Sequence, residues 1–323
     1  MKGGKPFHIV VAEPIEDPVA RSRLEEIGEV HELKDVAPQT LIDALQNADA
    51  LIVRSKAHVT ARVLEAAPRL KVIGRASPTV DHIDLKAARR RQVSVVYAPH
   101  VAVNSTAEFA LALALVLVRR IPYFDSELRD GRFDAARTAC GSEMGRLTLG
   151  LLGIDPVAER LAEIFRSAFG SPILAHDPTG RTAADYGGTL LSGERVVELD
   201  VLLRDADILS VHLPLSPETR RFLNADRLAL MKPTAILINT SRGPTVDTVA
   251  VAQALRKRRL GGAGFDVYET EPLPATHPLR MAPHCVLTPH VAGATLDAAS
   301  SRFRVVEDVV RVLQGEPPLH PVV

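Results

Sequence analysis

Residues 148–177 constrain this chain more than any other stretch. They read Thr-Leu-Gly-Leu-Leu-Gly-Ile-Asp-Pro-Val-Ala-Glu-Arg-Leu-Ala-Glu-Ile-Phe-Arg-Ser-Ala-Phe-Gly-Ser-Pro-Ile-Leu-Ala-His-Asp. An apolar run, 149–152, ends at Gly153. A helical period follows, with Val157, Leu161, Ile164 and Ala168 on one face. A second apolar run, 173–175, leads into Asp177. Strand, tight turn, helix, strand and acid is the layout of a dinucleotide-binding βαβ unit. The acid lies 177 − 153 = 24 residues after the first glycine, near the spacing of a ribose-binding carboxylate. The glycine pattern G-x-G-x-x-G/A is incomplete. Gly153 and Ala158 fit it, but the middle glycine is Asp155, and Pro156 follows. On this match alone, a plain βαβ unit that binds nothing stays open.

The rest of the chain narrows the choice. Its 323 residues suggest about two domains, and a hydrophobic content of 46% supports sizeable cores. The 39 basic residues balance 39 acidic ones, so composition supplies no basic face for nucleic acid. The longest apolar run, 109–118, is too short to span a bilayer, and the first residues lack the apolar core of a signal peptide. With only Cys140 and Cys285 present, a reducing cytoplasm is the expected setting.

Strand and helix signals alternate along the whole sequence. Strands are expected at 7–12, 30–33, 50–53, 72–76, 94–97, 149–152, 173–175, 208–211, 235–238 and 262–265. Helices are expected between them, with Asp17 and Thr60 as caps of two. This alternation predicts an α/β protein with two doubly wound parallel sheets, Rossmann-like and flavodoxin-like. The helix predicted over 104–121 is apolar all round, so it should be covered by a second domain or a second subunit. Residues 125–144 read as an irregular arm. A last helix, 298–313, carries Phe303, Val306, Val310 and Leu313 on one face.

Ligands of open α/β sheets lie beyond the carboxyl ends of the strands. His212, Arg242, Asp266 and His290 all fall at such ends. Hydride transfer between a 2-hydroxy acid and a nicotinamide needs a cation for the substrate carboxylate, which arginine supplies with a planar fork. It needs a proton carrier near neutral pH, which suits histidine, and a carboxylate to orient the imidazole. Arg242, Glu271 and His290 are the right residue types, although each alone is equally a turn, a solvated loop or a capped turn.

The words around them are more specific. Residues 239–247 (Asn-Thr-Ser-Arg-Gly-Pro-Thr-Val-Asp), 264–272 (Gly-Phe-Asp-Val-Tyr-Glu-Thr-Glu-Pro) and 287–295 (Leu-Thr-Pro-His-Val-Ala-Gly-Ala-Thr) closely resemble signatures of the D-isomer-specific 2-hydroxyacid dehydrogenases, nearest their phosphoglycerate-dehydrogenase branch. Residues 63–75, 80–88 and 105–108 fit as well, so the resemblance covers nearly the full chain. It implies a substrate domain of residues 1–100 plus 296–323, an NAD domain of residues 101–295, and a cleft between them. It implies that Arg242 binds the substrate carboxylate, that His290 is the acid/base and that Glu271 supports it. Cofactor contacts are implied for Gly153, Ile154, Asp155, Pro156, Val157, Asp177, His212, Leu213, Pro214, Thr219, Thr240, Ser241, Asp266 and Gly293. Asp177 favours NAD over NADP, with Arg181 a contrary feature. Arg54, Ser55, Arg75, Ser77, Pro78 and Thr79 are implied on the substrate side. Arg54, Lys56 and Arg75 could hold a phosphate, or equally be solvated surface charges. The family also implies a homodimer built on the apolar helix, a small 2-hydroxy or 2-oxo acid as substrate, and no metal. The sequence leaves no room for the regulatory domain that some phosphoglycerate dehydrogenases append.

The chain departs from the family where backbone cradles anions. Besides Asp155, the substrate loop reads Ala76-Ser77-Pro78-Thr79-Val80-Asp81 in place of Ala-Gly-x-Gly-Val-Asp, and Pro78 has no N–H to offer. Ala102 replaces a frequent asparagine, and Arg146 a glycine. Two readings therefore follow: a working NAD-dependent dehydrogenase with adapted loops, or a pseudoenzyme of the same fold with a binding or scaffolding role.

Overall fold

A computed structural model of the chain describes residues 7–54, 56–136, 140–178 and 195–323. Ser55 and Arg181 lie outside the described residues. The chain divides into two compact units, residues 1–102 with 294–323, and residues 103–293.

The first unit runs β1 (Phe7–Val11), α1 (Pro18–Glu25), β2 (Gly28–Glu32), α2 (Pro38–Leu45), β3 (Ala50–Val53), α3 (Ala61–Glu65), β4 (Val72–Arg75), α4 (Leu85–Arg90) and β5 (Ser94–Tyr97). The second runs α5 (Val103–Val118), α6 (Ile121–Arg129), α7 (Phe133–Ala136), β6 (Leu149–Leu152), α8 (Pro156–Phe169), β7 (Ile173–His176), β8 (Arg195–Val196), α9 (Leu199–Asp205), β9 (Ile208–Val211), α10 (Ala225–Leu228), β10 (Ile236–Asn239), α11 (Thr248–Arg256), β11 (Gly262–Phe265) and β12 (Cys285–Leu287). The chain then returns to the first unit with α12 (Leu296–Ser301) and α13 (Val305–Leu313).

Both sheets are parallel. The first has the order β2-β1-β3-β4-β5, and the second β12-β11-β10-β9-β6-β7-β8. The second order reverses between β6 and β9, which are paired from Leu149 opposite Ile208 to Leu152 opposite Val211. That switch point is where a doubly wound sheet opens a crevice for a ligand. Parallel strands are covered on both faces and so read as continuous apolar runs. Accordingly β3, β6, β9 and β10 are buried along their whole length.

Several expectations need correction. The buried stripe of α8 is Ala158, Leu161, Ala162 and Phe165, and Ala168 is exposed; the helix is turned so that Phe165 is fully buried. Thr60 precedes α3 but its hydroxyl makes no cap hydrogen bond. Within the stretch expected to be irregular, 125–129 and 133–136 are helical, as parts of α6 and α7, and α6 buries none of its side chains. The last helix is broken by a 3₁₀ turn at Arg302–Arg304. Its apolar face is still buried, with Phe303, Val306, Val310 and Leu313 each 6% exposed or less.

The all-apolar helix also differs from expectation. Ala107, Ala110, Leu113, Ala114 and Leu117 of α5 are buried in the second unit's core, packed on α8 and β10. Phe109, Leu111 and Leu115 are only half-buried, and Ala112 is exposed. One chain therefore covers one face of α5, not all of it. Beside it, Ile121, Leu128 and Phe133 are 51%, 60% and 62% exposed. No helix among the described residues is long and apolar enough to cross a membrane.

Candidate active site

Arg242 follows β10 on a short loop that other side chains shape. Asn239, fully buried, accepts the Ser241 N–H with Oδ1 at 3.0 Å and donates from Nδ2 to the Arg242 carbonyl at 3.1 Å. The Thr245 hydroxyl donates to the same carbonyl at 2.6 Å. A Cβ added at Gly243 would lie 2.0 Å from the Tyr268 carbonyl carbon, so only glycine lets the Arg242 loop reach the Tyr268 loop.

Two carboxylates organise the other side. Asp266, at the end of β11, is completely buried. Its Oδ1 accepts from Thr288 Oγ1 at 2.6 Å and from the Val291 N–H at 2.9 Å, while Oδ2 accepts the Ala292 N–H at 2.8 Å. These bonds fix the turn that carries His290, whose backbone is left-handed at φ 57°, a conformation rare for a residue with a side chain and held only when its surroundings dictate it. Glu271 accepts the Tyr268 N–H through Oε1 at 3.0 Å and faces His290 Nδ1 through Oε2 at 2.8 Å. The Tyr268 hydroxyl donates to the Phe265 and Thr288 carbonyls, and burial pushes it up to about 12, so it stays a donor. With Nδ1 turned to Glu271, Nε2 is the imidazole nitrogen left for proton exchange.

At the βαβ turn, Gly153 has φ 90°, and a Cβ there would lie 2.8 Å from the His212 carbonyl. Asp155 caps α8, with Oδ1 accepting the Ala158 N–H at 2.7 Å. The same oxygen lies 3.2 Å from Nδ1 of buried His212. Pro156 occupies the first helical position. The residues fit a dinucleotide along the rest of the crevice. His212 Nε2 and Thr240 Oγ1, at the ends of β9 and β10, are buried polar atoms without a hydrogen-bond partner, as expected where a ligand completes the pairing. Asp177 follows β7 on the far side of the switch point. Ile154 and Leu213 are buried in the turn's packing, and Pro214 is exposed. Thr219, 3% exposed, spends its hydroxyl on the Pro214 carbonyl at 2.5 Å, bracing the loop after β9. Val157 and Gly293 are half-buried.

In the first unit, Arg75 is 3% exposed, not a solvated surface charge. Its guanidinium donates to the Arg54 and Thr79 carbonyls, and burial lowers its proton affinity. It therefore ties together the loops after β3 and β4. Ser77, Pro78 and Thr79 avoid the left-handed region, so the substrate loop runs without the family's glycines. Ala102 does adopt it, at φ 59°, where the asparagine of relatives is better tolerated. Arg54 is half-buried, with Glu13 and Glu16 at 3.6 and 3.5 Å, and Lys56 is exposed. Arg302, overlooked in the sequence, has a buried Nε without a partner, and its charge is disfavoured by burial and then by neighbouring Arg54. Nothing in its local sequence marks it; only the return of the chain to the first unit brings it there.

Comparison with known proteins decides the family. Residues 111–292 match the NAD binding domain of the D-isomer specific 2-hydroxyacid dehydrogenases. The chain belongs to that family. It is 39% identical to a glyoxylate reductase of Thermofilum pendens over 298 residues, 90% of this chain and 86% of that one. It is 35% identical to a D-3-phosphoglycerate dehydrogenase of Methanocaldococcus jannaschii over 310 residues, 95% of this chain but 58% of that longer one. The TT0316 protein of Thermus thermophilus superposes with a TM-score of 0.85 at 37% identity, covering 98% of this chain and all of that one. This family member is an NAD-dependent oxidoreductase acting on CH–OH groups. Nothing in these relationships favours the pseudoenzyme reading.

Proposed function

We propose that Arg242, Glu271 and His290 interconvert a small 2-hydroxy acid and its 2-oxo acid, and that the observation carrying this reading is the 2.8 Å contact between His290 Nδ1 and Glu271 Oε2. Glu271, itself oriented by the Tyr268 N–H, holds the imidazole with Nε2 outward. In the reductive direction His290 enters as the imidazolium and gives its Nε2 proton to the carbonyl oxygen; in the oxidative direction neutral Nε2 takes the hydroxyl proton. The Arg242 fork holds the substrate carboxylate and polarises the neighbouring carbonyl. NAD, when bound, supplies the hydride donor or acceptor. Asp266, completely buried, already accepts three hydrogen bonds within the second unit, so its role is to position the His290 turn. Residues 101–295 form the cofactor domain, with Asp177 reading the ribose. Residues 1–100 with 296–323 form the substrate domain, and Arg54 with the Ser77–Pro78–Thr79 loop are its candidate substrate residues.

The test is NADH oxidation with a panel of 2-oxo acids, glyoxylate and a phosphorylated oxo acid included. Arg242→Ala should raise KM and lower kcat together, because the fork acts in binding and in the transition state. A KM unchanged within twofold would remove Arg242 from the substrate site.

The uncovered face of α5 and the exposed Ile121, Leu128 and Phe133 support a two-fold homodimer. The low cysteine count, Cys140 and Cys285 alone, supports a reducing compartment such as the cytoplasm as its setting. Light scattering should report twice 34.9 kDa; a monomer at micromolar concentration overturns the dimer.

A further inference from the structure

A cavity of about 750 Å³ adjoins the Glu271–His290 pair. Tyr268, Leu273 and Leu287 are among its lining residues, with Arg280 beside them. Neither Arg242 nor any residue of the 153–155 turn lines it. A molecule here would meet the acid–base pair without using the substrate's carboxylate clamp or the cofactor turn.

Arg280 is what gives this cavity a chemistry. It is exposed on a short 3₁₀ turn, Pro278–Met281, its backbone N–H donating to the His277 carbonyl at 3.1 Å. Its guanidinium has neither a hydrogen bond nor an ion pair among the described residues, although Glu271 lines the same cavity. A planar cation beside apolar wall is complementary to a carboxylate with an apolar body: the fork pairs with the carboxylate, and the body displaces water from the leucines. The volume lies in the range of small-molecule sites.

We propose that this cavity is a second ligand site, for a small apolar carboxylate held by Arg280, placed to act on the Glu271–His290 pair. The coupling rests on the acid–base reading of His290; the binding does not. The titratable groups facing the cavity are Tyr268, Glu271, Arg280 and His290. A bound carboxylate offsets the positive charge of Arg280 and adds a negative charge near the imidazole. Both changes favour the imidazolium, the form that donates the proton in reduction. Reduction should therefore persist to higher pH with the ligand bound.

Benzoate is a suitable probe, followed by calorimetry at constant ionic strength and by NMR titration of the His290 Cε1 proton. Wild type should bind benzoate, Arg280→Ala should weaken binding at least tenfold with unchanged basal kcat, and Arg242→Ala should retain it. The apparent pKa of His290 should rise with benzoate in wild type and stay put in Arg280→Ala. No binding to wild type, undiminished binding to Arg280→Ala, or loss in Arg242→Ala overturns the site. Binding that leaves the His290 titration unmoved overturns its coupling to the pair. Neither measurement needs turnover, so a chain inactive on every oxo acid would still report on the cavity.

Discussion

Replacing His290 by alanine should lower kcat for reduction of a 2-oxo acid about 10²–10⁴-fold, the usual contribution of a positioned acid or base. The expectation rests on how much structure is devoted to that one imidazole. A left-handed backbone presents it, three hydrogen bonds to buried Asp266 hold the turn, and Glu271 fixes its tautomer from 2.8 Å. The side chain is 61% exposed, so its removal leaves no core cavity and the fold should survive. Glu271→Gln is the informative companion. The amide can still face Nδ1 but no longer stabilises the imidazolium, so its loss should be smaller than that of His290→Ala. Steady-state rates at saturating NADH, with NADH affinity measured separately, make the comparison. A kcat within threefold of wild type in His290→Ala would remove the residue from the chemistry.

Much of this arrangement was legible in the sequence, and what was legible has a common cause. Buried parallel strands are continuous apolar runs, so β6, β9 and β11 could be read with little error. Asp155 followed by Pro156 is a helix start written in adjacent residues, and the carboxylate does cap α8. Arg242, Glu271 and His290 stand out as candidates because they sit within distinctive local words. The unread part is held together by bonds between residues far apart in sequence. Asp266 reaches Val291 and Ala292, 25 and 26 residues on, and nothing near Asp266 announces the clamp. The burial of Arg75 depends on carbonyls of two different loops. Helix α6 was missed because its apolar residues are not buried within one chain, so the usual inward stripe is absent.

Substituting glycine for Asp155 should tighten NADH binding at least tenfold. The first turn of a helix offers N–H groups without intrahelical acceptors and a partial positive charge, and these ordinarily hold a dinucleotide's phosphates. Here the Asp155 carboxylate takes the Ala158 N–H at 2.7 Å, and Pro156 has no N–H to give. A phosphate about 5 Å from that carboxylate, at an effective dielectric near 20, is repelled by roughly 3 kcal/mol, or about two decades in affinity. The His212 Nδ1, 3.2 Å from the same carboxylate oxygen, offsets part of this, which is why tenfold is the lower bound. Glycine removes the charge, releases the Ala158 N–H and makes room for close backbone approach. Loss of the cap costs only a few tenths of a kcal/mol when glycine replaces it, so the melting temperature should fall slightly while affinity rises. Calorimetric titration of NADH into both proteins separates the possibilities. If wild type binds at low micromolar concentration and the glycine variant binds no better, the phosphates lie clear of Asp155, and the capped helix is compatible with full cofactor affinity.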